Sequence, residues 1–196
     1  MGMLIDLSHV SKATMLDVLG AHPEKTTGSI APIIFSHSSA YTLCPHPRNV
    51  QDDVLHLIKQ KNSLIMVNFS PDFISCLPSS SSSSSGIPDP YPPNATLHQV
   101  ARHIVYIGDL IGYDHVGLGS DFDGIPTTPR GLEDVSKFPD LVGELLRMGV
   151  GDGDAAKVVG GNVLRVWGDA EDVALRMQGE GVRPVQDRVE KMHFAL

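Results

Sequence analysis

This chain is poor in cysteine, in clustered positive charge and in long apolar runs, and each shortage removes a class of protein. Two cysteines, Cys44 and Cys76, in 196 residues are too few for a disulfide-built scaffold or a structural zinc cage. They leave two readings open, a pair of free thiols or one bridge between adjacent loops. The 15 basic residues against 23 acidic ones give a net charge of −8, with no Lys/Arg cluster, so nucleic acid is not an expected partner. No apolar stretch nears the roughly 18 residues of a membrane span, and no basic, apolar leader opens the chain. Equally absent are a His-Glu-x-x-His helix motif, a P-loop, a dinucleotide fingerprint and a Gly-x-Ser-x-Gly elbow.

What is present is enough apolar sequence, 41%, to bury a core. Continuous apolar runs at 3–7, 33–35, 64–67 and 116–118 read as buried strands. They alternate with helix-like stretches at 11–19, 51–59, 97–111 and 139–148, where Ser11 suits an N-cap and Pro139 a first turn. This alternation predicts an α/β fold with a parallel sheet covered by helices. Two insertions interrupt it. One lies at 21–29; the other, at 78–93, holds the serine run 79–85 and a Pro-rich stretch and reads as a mobile surface loop. The pattern weakens after Gly168, with a last helix expected at 170–177 and a loosely structured tail over 176–196. Leu4 already lies in an apolar run, so the chain is expected to be the later part of a larger fold.

The chemistry-bearing residues close these runs. His9 and His37 each follow a serine at the end of a strand-like run, and Asp121 ends a third. Adjacent strands lie about 4.8 Å apart, so imidazoles at neighbouring tips can share an ion at about 2.1 Å from each. One isolated histidine is more often a hydrogen-bonded core residue. Two at matching strand ends favour a metal site, although catalytic zinc needs a third protein ligand. Asp121 and Asp123 flank Phe122, and Asp121, at the strand tip, is the one expected at the mouth, where a carboxylate can move a proton. Arg48, in the loop after the second strand, can clamp a carboxylate in a two-pronged bond.

The segments MLIDLSHVS (3–11), APIIFSHSSAY (31–41), Arg48-Asn49-Val50, LIMVNF (64–69), GLGSDFDG (117–124), GLEDVSKFPDL (131–141) and GGNVLRV (160–166) together resemble the renal, or membrane, dipeptidase family. The resemblance runs in order from about residue 1 to 170. It implies the C-terminal half, about four β/α units, of a (β/α)8 TIM-type barrel occupying residues 1–175. The activity implied is that of a zinc-dependent dipeptidase, a metallo-dipeptidase that hydrolyses dipeptides by metal-activated water. The family's complete site holds two Zn2+ ions, and His9 and His37 match its two histidine ligands of one of them. Arg48 matches the arginine that holds the dipeptide carboxylate, and Asp121 the strand-tip aspartate near the substrate amine. Cys44 and Cys76 match two cysteines joined in a disulfide in mammalian members.

The family's His-x-Asp pair, its metal-bridging glutamate and its oxyanion histidine have no counterpart in this sequence. The alternative expectation is therefore an inactive truncated fragment lacking the N-terminal metal ligands, whose open sheet edges favour association. A different amidohydrolase-like activity on the same fold is a weaker third reading. Expected partners are a dipeptide and, as a candidate, a second copy forming a homodimer. No lipid-anchor signal ends the chain. Family relatives are often extracellular or membrane-attached; of two sequons, Asn68 is discounted because it closes a buried strand with Pro71 after Ser70, while Asn94, in an exposed loop, raises secretion without deciding the compartment.

Overall fold

A computed structural model describes residues 2–21, 27–79 and 87–184. Apolar runs form a parallel sheet. Strand β1 (Ile34–Phe35) pairs with β2 (Leu64–Val67), and β2 with the strand Val116–Leu118. Residues 3–7 add a fourth extended segment beside β1, bridged at Asp6 and Ile34, with Leu7 N–H donating to Ile34 O at 2.8 Å. This segment was expected to be a strand as regular as the others. It bonds on one side only and leaves Met3 and Ile5 exposed, so the ladder shortens to a single bridge.

Three helices precede or interleave with these strands. Helix α1 (Lys12–Leu19) starts at Ser11, whose hydroxyl accepts from Thr14 N–H as the N-cap. Helix α2 (Asp52–Gln60) follows the second loop, and α3 (Pro71–Ile74) is one short turn after β2. Next comes a ribbon of β3 (Cys76–Leu77) and β4 (Asp89–Pro90), then α4 (Leu97–Ile111), capped by Thr96. The strand Val116–Leu118 is β5, followed by α5 (Phe138–Arg147), α6 (Asp152–Ala156) and α7 (Asn162–Gly179).

The core lies between the sheet and α1, α2, α4 and α5. Phe35, Ile65, Val67 and Val116 meet Val54, Ile58, Ile104, Ile107 and Leu145, all fully buried. These helices place apolar residues at i, i+3, i+4 spacing, which turns one stripe of each toward the strands.

Two expectations are corrected. The insertion at 78–93 is not a free loop throughout: Pro88 is buried and β4 pairs with β3, because Ser75 and Tyr91 bond to each other's backbone beside Cys76. Residues 80–86, most of the serine run, lie outside the described residues. The last helix is also longer than 170–177 and carries through the expected tail start at 176 to Gly179. Its start is set by tertiary contact, since Asn162 Nδ2 donates to the carbonyls of Tyr113 and Val116 at 2.7 and 2.8 Å. Residues 185–196 of the expected tail lie outside the described residues.

Candidate functional site

His9, His37 and Asp121 sit at the C-terminal ends of the parallel segments, where α/β sheets place ligands, and Arg48 reaches them from the loop after β1. The first tip is built by Asp6. Its Oδ1 accepts from the N–H groups of Ser8 and Ser36 at 3.0 and 2.9 Å, and its Oδ2 accepts from Ser36 Oγ at 2.5 Å. Ser8 Oγ accepts from His37 N–H at 3.0 Å. Two neighbouring chain segments are thus stitched together just where His9 and His37 project.

Ser36 has one hydroxyl proton, which it gives to Asp6. Its oxygen lies 2.7 Å from His37 Nδ1, so Nδ1 carries the hydrogen and Nε2 keeps a lone pair. Such a relay fixes the tautomer a metal-binding imidazole needs. Burial works against ionisation of Asp6, but the hydrogen bonds from Ser36 and Ser8 outweigh it and hold the carboxyl below its usual range. Burial also pushes His37 down; the nearby Asp121 opposes this, and Arg48 and His9 add to it. His37 is neutral at pH 7.

His9, in left-handed backbone at φ 71°, turns its Nε2 to within 2.8 Å of His37 Nε2. Arg48 Nη2 donates to His9 Nε2 at 3.2 Å and to His37 O at 3.4 Å. Two ring nitrogens that both offer lone pairs at this separation need a proton or a cation between them. The donor set therefore fits a shared metal, supplying two of its ligands. Among the described residues no group of three His, Cys, Asp or Glu side chains converges on one ion. Asp121 Oδ2 stands 3.9 Å from His37 Nε2 and accepts from Asn68 Nδ2 at 3.3 Å.

Asp121 is turned toward His37 by the backbone beyond β5. Residues after β5 leave the strand, and Asp121 adopts φ 61° in a tight turn while Asp123 points to solvent. The close approach depends on Gly119, where a Cβ would stand 2.0 Å from Ser36 O.

Arg48 is held from beneath. Its guanidinium lies over the Phe73 ring at 5.5 Å. The neighbouring Asn49, buried, donates to the carbonyls of Cys44 and Phe73 at 2.9 and 2.6 Å and accepts from Ser39 N–H. A groove of about 510 Å³ opens beside it, lined by His9, Lys12, Tyr41, Arg48 and Gln51. Cys44 and Cys76 form a disulfide, with Cα atoms 5.4 Å apart.

Asp6, Ser36, Asn68 and Phe73 escaped the sequence analysis. Asp6 carries a signal, an acidic residue inside an apolar run three positions before His9; the others read as ordinary strand-end and loop residues.

His103 supports the second tip from α4. It is fully buried, accepts from Ala40 N–H at Nδ1 (3.1 Å) and bonds Ile74 O through Nε2 (2.9 Å). Burial lowers its pKa from 6.5 to about 4. The folded state therefore holds fewer protons than the unfolded one between those values, and stability falls as pH drops from 6.5 to 4. The expected loss from this group is roughly 3 kcal/mol. Denaturation of wild type and His103→Gln across this window checks it; parallel curves would refute the assignment.

The strand tips and the loop after β1 thus bring two imidazoles, a carboxylate and an arginine together on one face of an α/β fold. The membrane dipeptidase family model (peptidase family M19) matches residues 1–181, and the chain belongs to that family. A dipeptidase from Aspergillus oryzae, aclJ, is 46% identical over 190 residues, covering 97% of this chain and 40% of its own length. The crystal structure of the probable dipeptidase PvdM from Pseudomonas aeruginosa superimposes with a TM-score of 0.72 at 27% identity, over 87% of this chain and 51% of that one. A metallopeptidase from Rhodobacter sphaeroides, solved with a phosphinate mimic of L-Ala-D-Ala, gives 0.67 at 26% identity, over 86% and 43%. The chain thus spans about two-fifths of the curated relative's length. Metallopeptidase relatives imply a metal, and no described helix is long and apolar enough to cross a membrane.

Proposed function

We propose that residues 1–175 are the C-terminal half of a (β/α)8 barrel and carry part of a zinc-dependent dipeptidase site. The observation that carries this is the facing pair of His9 and His37 nitrogens, 2.8 Å apart with Arg48 at 3.2 Å. His9 and His37 would hold one Zn2+, with Asp6 and Ser36 fixing the His37 tautomer. When bound, zinc supplies a Lewis acid and a water acidic enough to act near neutral pH. Arg48 binds the free carboxylate of the dipeptide, which limits substrates to those ending one residue past the scissile bond. Asp121 receives the substrate's amino group and passes a proton toward the leaving amine.

The second reading is an inactive fragment, favoured by the want of a third ligand among the described residues. Zinc stoichiometry and Gly-Leu hydrolysis by the purified chain separate the two. Turnover with bound zinc supports the enzyme; no turnover, with less than one zinc per chain, supports the fragment. In an active preparation, Arg48→Met should raise KM by about 50-fold, since charge-assisted bonds to a carboxylate contribute about 1.5–3 kcal/mol. An unchanged KM would remove Arg48 from the carboxylate site. On this reading the partners are a dipeptide and a second copy of the chain.

A further inference from the structure

The backbone ladder that joins β1, β2 and β5 runs out at Ser38 and Gly119. Ser38 N–H donates to Met66 O at 2.9 Å, and Gly119 N–H to Val67 O at 3.0 Å. One step further out, side chains take over the same row. Ser39 Oγ donates to Asn68 O at 3.3 Å, and Asn68 Nδ2 donates to Asp121 Oδ2 at 3.3 Å. On its other side Ser39 N–H donates to Asn49 Oδ1 at 3.2 Å, while Val50 N–H donates to Ser39 O at 2.9 Å. A bonded path therefore leads from Asn49, the neighbour of Arg48, through Ser39 and Asn68 to Asp121.

Each amide on this path has its orientation set by its partners. Asn68 Oδ1 accepts from Ser70 N–H, so its NH2 group is the one turned to Asp121. Asn49 Nδ2 is taken up by the carbonyls of Cys44 and Phe73, so its oxygen is the one turned to Ser39. Phe73 is also the ring beneath the Arg48 guanidinium. Ser39, Asn49 and Asn68 are all fully buried. A buried hydroxyl or amide must keep its partners merely to break even, and apolar side chains would fill such a layer at less cost. This polar layer therefore fixes positions more than it adds stability.

We propose that Ser39 and Asn68 are positioning residues, a strut that fixes the spacing between Arg48 and Asp121 and so restricts the site to substrates two residues long. Arg48 and Asp121 take the carboxylate and the amine at the two ends of a dipeptide, and the strut itself touches neither. One more residue moves those ends about 3.5 Å further apart, which a rigid pair of end-binding groups does not accommodate. With the strut cut, both ends still bind, but the peptide carbonyl between them is held less exactly. Misplacement by about 1 Å costs roughly 100-fold in rate. The strut therefore acts on kcat and on length selection, where Arg48 acts on KM. The inference rests on the dipeptidase reading for the roles of Arg48 and Asp121, not for the bonds between them.

Two readouts test it, one without substrate and one with. In NMR spectra of the free chain, Asn68→Ala should shift the Arg48 Nε–H resonance, and Ser39→Ala should shift both that resonance and the Asp121 amide. The control is Ser63→Ala, which removes an equally buried hydroxyl at the other end of β2, where it accepts from Ile33 N–H at 3.0 Å; it should lower Tm and leave both resonances in place. With zinc and substrate, Ser39→Ala should lower kcat on Gly-Leu about 10-fold with KM changed less than about twofold, and narrow the preference for Gly-Leu over Gly-Gly-Leu by about 10-fold. Ser63→Ala should keep the wild-type preference. An Arg48 resonance indifferent to Asn68→Ala, or turnover by Ser39→Ala with the length preference intact, would overturn the strut and leave the dipeptidase reading standing. Resonances that move as expected in a chain that cleaves neither peptide would overturn the dipeptidase reading and keep the strut.

Discussion

Phe69→Ala is expected to lower the free energy of unfolding by about 4 kcal/mol, the range for removing a large aromatic from a packed core. Phe69 is fully buried just past the tip of β2. Its ring meets Phe122 edge-on at 5.7 Å and Phe138 at 5.9 Å, and those two lie 6.1 Å apart. Each such contact adds roughly 0.5–1.5 kcal/mol beyond area burial. The three rings come from the end of β2, the turn after β5 and the start of α5, so the gap left by alanine has no flexible wall to fill it. The same cluster holds the turn that carries Asp121 beside His37. Chemical denaturation of Phe69→Ala and Phe69→Leu measures the effect, with leucine expected to recover most of it. A loss under about 1.5 kcal/mol for alanine would mean that the cluster does not pack as described.

The double variant Cys44→Ala/Cys76→Ala should cost about 3.5 kcal/mol. The bond joins positions 32 residues apart, and on the chain-entropy account closing a loop of that size in the unfolded state gives a stabilisation between roughly 3 and 4 kcal/mol. For a chain of this length that corresponds to a fall of about 10 °C in Tm. The bridge ties the loop bearing Arg48 to the segment after α3, and Cys44 O also accepts from Asn49. Loss of the bond should therefore raise the KM for dipeptides in an active preparation as well as lower Tm. Thermal unfolding of the oxidised wild type beside the double variant checks the first effect. A difference below about 1 kcal/mol would refute the entropic estimate.

Local pattern carried some features further than others. The helix at Leu97–Ile111 and the strand at Leu64–Val67 were legible to the residue because each is a periodic or continuous apolar run bounded by capping or turn residues. The edge segment at residues 3–7 was legible as a strand but not as a frayed one, since fraying depends on having a neighbour on one side only. Helix α7 was misjudged in length because its first turn is held by Asn162 bonding to residues 49 and 46 positions earlier. Pro88 reads as loop in the sequence, and its burial accompanies the pairing of β4 with β3, a contact between segments 12 or more residues apart. The residue types and positions of Arg48 and Asp121 suggest a carboxylate clamp and a proton carrier, and the family resemblance matches them to particular parts of a dipeptide.

The chain's own order of apolar runs, turn residues and strand-end histidines determined an α/β fold with parallel strands and a mouth at their tips. Those features arise from residues close together in sequence, where backbone periodicity governs. Only the tertiary structure decided that Asp6, through Ser36, fixes which ring nitrogen of His37 carries the hydrogen. It also decided that Arg48 reaches His9 across 39 positions and that Asp121 turns inward at a left-handed residue. Such contacts depend on which strands lie side by side and on the space a glycine leaves between them, quantities no short window of sequence contains.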